Sequence, residues 1–410
     1  MYIVAFSLLY IGYYVYIVPK WAYYGFAWTP NWVKVGEALF LLVLGTSLLP
    51  SSFSKPSDFY AHFQFLIIIP MLVLFSAMDQ ARQFIYMVFL GFGIIVEIPQ
   101  IFHLRIVWFP KFSRVNIIQM LLLIGYSVIV SLLLLGGLRY MNFNLRNVYI
   151  YRNVIAVSFP KVYGYINSWV AKVVFPLALA LSLVERRRKF LVLSFIGSWL
   201  MFGLTSHKAI LFYPIAVILI YKLLQFRCGL VCILLGYTLI PLLALFDYWF
   251  YIFHQWFATL FLRRALFVPA LINFFYYDFF SQQGYAYWAY SKITLGLFPY
   301  KFETSIPYVI GEHFFPWAFI GANTGWIGSG YANAGFVGLL IYATFIGFLL
   351  TLLNAYQAIH ERHFLVAVTL PTYQSFLLSS DLLTALFTHG TLLMLALLLL
   401  FCTKSSSRAT

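Results

Sequence analysis

The feature that most limits what this chain can become is the length of its uncharged apolar runs. Residues 115–138, for example, contain no charged side chain and are dominated by Leu, Ile and Val. A run of that length matches the ~20 residues an α-helix needs to cross a ~30 Å hydrocarbon core. Similar runs recur with approximate limits 2–18, 33–50, 61–77, 84–100, 116–138, 166–184, 190–205, 209–225, 228–246, 335–353, 364–380 and 386–402. Lipid offers backbone groups no hydrogen bonds, so each run is predicted to be a helix that satisfies its own N–H and C=O groups. With 63% hydrophobic and 9% charged residues, 410 residues carry too few charges to cover a water-soluble surface. The expected fold is an all-α polytopic membrane protein of about twelve transmembrane helices. It forms a single transmembrane domain over residues 1–410, without a separate soluble module. The start, Met1-Tyr2-Ile3-Val4, lacks a basic region and a small-residue cleavage site, so it reads as the first span.

Basic residues in short loops set the orientation. Glu185-Arg186-Arg187-Arg188-Lys189 is squeezed between two spans and is predicted to be cytoplasmic. Counting outward places Arg105, Lys111 and Arg114, Lys222 and Arg227, Arg362, and Lys404 and Arg408 on that side. The other face is also basic, with Arg139, Arg146, Arg152, Lys161, Lys208, Arg263, Arg264, Lys292 and Lys301. The net charge of +15 is thus spread over many loops, which points to anionic lipid or an anionic lipid-linked substrate and not to nucleic acid. The three cysteines, Cys228, Cys232 and Cys402, lie in or beside apolar runs and imply no disulfide framework.

Two external segments are expected, about 139–165 and about 247–334. The second contains the aromatic run Tyr248–Phe253, then Gln255, Thr259 and Arg263 at a spacing of four, one stripe of a helix. That pattern predicts a helix lying in the membrane interface; an extra pair of spans is the alternative.

Soluble-enzyme signatures are missing. The chain has no P-loop, no GxGxxG, no GxSxG elbow, no zinc-spaced His/Cys set and no Asp-x-Asp pair. Metal-independent chemistry without a cofactor is the expectation. Polar residues gather instead in four external clusters. In 147–152 (NVYIYR), Arg152 reads either as a phosphate clamp or as an anchor to lipid headgroups. In 205–209 (TSHKA), Lys208 begins a tight hairpin, where it suits a cavity or an interfacial anchor. Lys172 lies farther inside a span, and snorkelling to the surface is its expected fate. The adjacent pair Arg263 and Arg264, followed by Asn273 and Asp278, suits a diphosphate, with Asp278 orienting an arginine or binding a sugar hydroxyl. Finally, Glu312, one of eleven acidic residues, stands beside His313 and two phenylalanines. Apolar surroundings raise a carboxylate's pKa, which suits a general base; pairing with an arginine is the bland alternative. The glycine-rich 321–335 follows, where backbone could approach a ligand closely.

These segments resemble the bacterial O-antigen polymerases, the Wzy-type oligosaccharide repeat-unit polymerases. The likeness rests on NVYIYR (147–152), INSWVAKVVFP (166–176), LTSHKAILFYP (204–214), RRALFVPALINFFYYDFF (263–280), YVIGEHFF (308–315) and ANTGWIGSGYANAGFVGLLIY (322–342), in this order. It covers about residue 139 to the end; the N-terminal third resembles the family only as spans. The resemblance implies transfer of a growing glycan from undecaprenyl diphosphate onto another lipid-linked repeat unit. The reaction would face the periplasm of a bacterial inner membrane and use neither nucleotide nor metal. Arg152, Lys208, Arg263 and Arg264 would then hold the diphosphate. Glu312 would be the base, with His313 as substitute, and Tyr149, Asp278 and Asn323 would position sugars. The implied partners are the undecaprenyl-diphosphate-linked donor and acceptor, membrane lipid and a chain-length regulator. Two rivals stay open: an O-antigen ligase, kept alive by His313, and a lipid-linked oligosaccharide flippase, which would favour charges along a path through the spans.

Overall fold

The computed structural model describes residues 1–410 apart from 108–111, 146, 149, 152–154, 156, 157, 292, 293, 295, 296 and 405–410. All regular structure among the described residues is helical. Nine of the described helices are long and apolar enough to cross a membrane, so the chain is a polytopic α-helical membrane protein. They are α1 (Tyr2–Tyr24), α3 (Pro56–Ala77), α4 (Arg82–Ile101), α5 (Arg114–Leu134), α6 (Tyr163–Val184), α7 (Arg188–Thr205), α9 (Gly229–Phe250), α10 (Ala258–Gln283) and α12 (Trp326–Ala358). The expected crossings at 33–50, 209–225, 364–380 and 386–402 fall on shorter helices. These are α2 (Trp32–Leu48), α8 (Lys208–Leu223), α13 (Arg362–Gln374), and the pair α14 (Leu382–Phe387) and α15 (Thr391–Leu398). A further short helix, α11, covers Ile306–Phe314.

Helix starts follow ordinary capping chemistry. The Asn31 side chain accepts from the N–H groups of Val33 and Lys34 and opens α2. Asp58, in the first turn of α3, accepts from Ser54 N and Lys55 N, both at 2.7 Å, and so closes the loop before it. Large apolar side chains such as Leu123 and Leu134 of α5, 71% and 83% exposed, would be anomalous in water but are at home against lipid.

The chain forms two compact units. The first comprises Met1–His103, Cys228–Thr351 and Phe376–Leu382. Its centre is α3, buried along almost its whole length. At one end of this unit, Lys34 pairs with Asp79 at 2.7 Å and Arg82 with Glu37 at 2.9 Å. The hydrogen bond from Lys34 holds the Asp79 carboxyl below the usual carboxylate range.

Two elements of this unit depart from simple spans. The first is α10, whose neighbours change along its length. Thr259 bonds Tyr16 at 2.8 Å and Leu262 packs on Gly12, both in α1. Asn273 then reaches Met71 of α3, and Tyr277 meets Gln83 and Phe84 of α4. Both halves of α10 also pack on α3, and its first half packs on α9. The second is α12, which doubles back on itself. Ala334 and Gly335 leave helical geometry, Gly335 at φ +59°. The Gly330 carbonyl oxygen then lies only 2.2 Å from where a Cβ on Gly338 would stand. In an unbroken helix, positions eight apart are separated by about 12 Å. The short arm sets Trp326 against Gly91 and Tyr331 against Phe84, while the long arm sets Leu339 at Gly91 and Gly347 at Ile98. The two arms are therefore antiparallel against α4.

The second unit comprises Leu104–Arg227, Leu352–Ser375 and Leu383–Thr410. Its core is built around α6. The Phe175 ring of α6 fills the space that a side chain at Gly125 of α5 or Gly197 of α7 would occupy. Midway, α6 loosens into a π-helical turn over Val170–Val174, just before Pro176. A second π-helical turn, Ser375–Ser379, follows α13. On the far side of this unit Arg114 pairs with Glu185 at 2.9 Å.

Candidate functional site

In the first unit, α10 organises most of the sequence-singled residues. Its entry is held by Asp247, near the end of α9 and 1% exposed. One carboxylate oxygen accepts from Phe253 N at 2.7 Å and Gln255 N at 3.3 Å; the other accepts from Phe257 N at 2.9 Å and Ala258 N at 3.2 Å. Four otherwise orphaned backbone donors are thus satisfied by one side chain. Sequence reasoning passed over Asp247; its signal was a lone carboxylate opening the aromatic run Tyr248–Phe253.

Arg263 and Arg264 part company although they are neighbours. Successive side chains on a helix point in different directions. Arg263 is 7% exposed, with its guanidinium carbon 3.6 Å from the Trp21 ring centroid and 5.6 Å from that of Tyr24. Its Nε is buried without a partner among the described residues. Arg264 is exposed. Only the second arginine presents itself at the surface, so the structure does not bring the two together as one clamp.

Farther along α10, Asn273 is buried and ties three segments. Its side-chain oxygen accepts from Thr324 Oγ1 at 2.6 Å and Gly328 N at 2.9 Å, and its amide donates to Pro269 O at 2.9 Å. Tyr276 donates to Ala322 O at 2.9 Å, and Ala322 N donates to Pro307 O at 2.8 Å. These bonds hold α11 and the chain before α12 against α10. Phe275 stacks on Phe314 with centroids 4.1 Å apart, and Phe279 meets the edge of His313 at 5.1 Å. His313 and Glu312 are both exposed on α11, and Glu312 makes no ion pair among the described residues. The apolar pocket expected around the Glu312 carboxylate is therefore absent; its neighbours form an aromatic floor beneath an open helix. Asp278 is half-buried, in electrostatic range of Tyr331, which also meets Tyr277 at 5.1 Å and Tyr285 at 5.7 Å. Asn323 is exposed, its N–H bonded to Gly321 O at 3.1 Å. In the covering loop, burial pushes the Tyr300 phenol up to about 12, so it stays a neutral donor to Thr304 O.

The α12 turn is closed by a second network. Tyr342 OH donates to Asp381 at 2.7 Å and accepts from Trp288 Nε1 at 2.8 Å. Trp288 N donates to the Asn333 side chain at 3.0 Å. Asp381 was also missed in the sequence, where it reads as a lone carboxylate between two spans. The glycines expected to admit a ligand serve chain-on-chain contact: Gly330 faces Gly338, and a Cβ on Gly325 would meet the Leu377 backbone at 2.5 Å.

Lys208 belongs to the second unit, as the first residue of α8. Arg152 and Tyr149 lie outside the described residues. No group of three or more His, Cys, Asp or Glu placed to hold a metal ion occurs among the described residues. In comparisons with known proteins, no family model, no curated protein and no solved structure matches this chain.

Proposed function

We propose that this chain polymerises undecaprenyl-diphosphate-linked oligosaccharide repeat units into O-antigen-type polysaccharide at the periplasmic face of a bacterial inner membrane. The observation that carries the reading is the packing of three motif segments on one another. Residues 263–280, 308–315 and 322–342 are three separate motifs, and Asn273, Tyr276 and Phe279 join them directly. In this reading about twelve crossings carry the fold, and α10 lies in the interface as part of a lid over a lipid-lined groove.

The acceptor hydroxyl attacks the anomeric carbon of the donor. Its proton passes to Glu312, the bond from that carbon to the diphosphate oxygen breaks, and the lipid diphosphate leaves with the electron pair. Direct displacement inverts the anomeric centre. Arg264 meets the growing negative charge on the leaving group, while Arg263, stacked on Trp21, braces the helix that presents Arg264. Asp278 and Asn323 bind sugar hydroxyls.

Purified protein supplied with defined lipid-linked repeat units tests the reading. Glu312→Gln keeps the shape and removes the base, so extension should slow about 10²–10⁴-fold while donor still binds. Glu312→Asp should retain part of the rate. The exposed His313, on the same helix, favours one second reading, an O-antigen ligase with histidine as base. Near wild-type extension by Glu312→Gln, together with an inactive His313→Ala, would move the role to His313.

A further inference from the structure

In the second unit a lysine inside the α6 span has no protein counter-ion among the described residues. Lys172 lies in the π-helical turn of α6, and among the described residues its ammonium has one hydrogen bond, to Ser375 Oγ at 2.9 Å. An ammonium carries three donors, so two are left over. Ser168 stands one turn earlier on the same face and bonds His389 Nδ1 at 3.0 Å. Trp169 Nε1 donates to Phe387 O at 2.8 Å, and Gly390 packs on Trp169 and Val173, which fixes the His389 turn against α6. His389 is in electrostatic range of both Lys172 and His207, and His207 is exposed.

The two carboxylates of this unit are Glu185 and Glu361. Glu185 ends α6 and is engaged with Arg114; Glu361 precedes α13. Each is about 20 Å of helix away from the Lys172–Ser375 contact. An amine withdrawn from water without a counter-ion either gives up its proton or keeps it beside a bound anion. Both Lys172 and Ser375 also lie in π-helical turns, which in helices recur at functional sites.

We propose that Lys172, His389 and His207 form a binding site for a phosphate group. An ammonium and two imidazoles supply several N–H donors, which suits a phosphate with its several acceptor oxygens. The site does not depend on the glycosyl transfer proposed above, since it uses none of the residues assigned to that reaction.

Thermal unfolding of the purified full-length protein tests it without any activity assay. The probes are inorganic phosphate and pyrophosphate in detergent, and nanodiscs with or without phosphatidic acid. A ligand that binds only the folded state raises the melting temperature with concentration. Wild type should be stabilised in at least one arm. Response to the soluble anions marks a free phosphate compound; response to phosphatidic acid alone marks a lipid headgroup. Lys172→Met and His389→Gln should each weaken the apparent affinity about tenfold or more, whereas Lys161→Met, on an exposed side chain, should leave it unchanged. Either variant decides the matter if the other fails to accumulate. Lys172→Met should melt no lower than wild type in the absence of phosphate, because it removes an unpaired charge. Absence of any shift in wild type, or equal shifts in wild type and both variants, overturns the assignment.

Discussion

Arg263 and Arg264 are identical in type and adjacent in sequence, and their environments differ completely. What separates them is Trp21, more than two hundred positions away, which takes one guanidinium onto its face. No local pattern around the arginines announces that partner. The two should therefore respond differently to alanine. Arg264→Ala is expected to leave the melting temperature unchanged and to lower polymer elongation about a hundredfold, roughly 3 kcal/mol of lost charge stabilisation. Arg263→Ala is expected to destabilise the protein by ~0.5–2 kcal/mol through loss of the aromatic contact, seen as a lower melting temperature. Full elongation by Arg264→Ala would remove that residue from the site. Asp247 teaches the same lesson: its type was visible, but the four N–H groups it collects belong to a chain reversal that only tertiary structure defines.

At the scale of elements, hydropathy located the helices well, because burial in lipid imposes itself on every residue of a span. It did not foresee how α10 and α12 run. The apolar content of α10 is that of a crossing helix, and its side chains reach α1, α3 and α4 while its first half also packs on α9. In α12 the glycine-rich run looked like a ligand approach; the turn at Ala334 and Gly335 uses it to bring two arms of one helix together. This makes glycine replacement position-specific. Gly338→Val should sharply reduce the amount of folded protein, since its side chain would meet the Gly330 carbonyl, a backbone group unable to step aside. Gly236→Ala, in α9 with nothing within 4 Å of an added Cβ, should be neutral or stabilising by about 0.5–1 kcal/mol. Membrane abundance and melting temperature measure both. Equal effects would argue against the close approach of the arms.

For the molecule as a whole, the membrane class was legible from composition alone, and the division into two compact units was not. Each unit is assembled from pieces separated along the chain, and periodicity carries no information about such pairing. Orientation is the property on which the proposed chemistry depends. Single cysteines at Ser158 and Ser281, both exposed, should react with an impermeant maleimide in intact cells, whereas one at Arg187 should react only after permeabilisation. The background must first lose Cys228 and Cys232, which are exposed, and Cys402. The opposite labelling pattern would put the α11 helix on the wrong side for a periplasmic reaction.

The interleaving of the two units also bears on how the protein is made. A ribosome delivers α1 to α4 first, then all of Leu104–Arg227, and only afterwards α9 to α12 and Phe376–Leu382, which complete the same unit. At roughly 5–20 residues per second, the early helices wait on the order of ten seconds for their partners. During that interval Met71 of α3 and Gly91 of α4 lack the Asn273 and Trp326 side chains that later cover them. The first unit is thus finished by its later pieces, and the four early helices, packed on one another, present uncovered faces in the bilayer while the other unit is inserted.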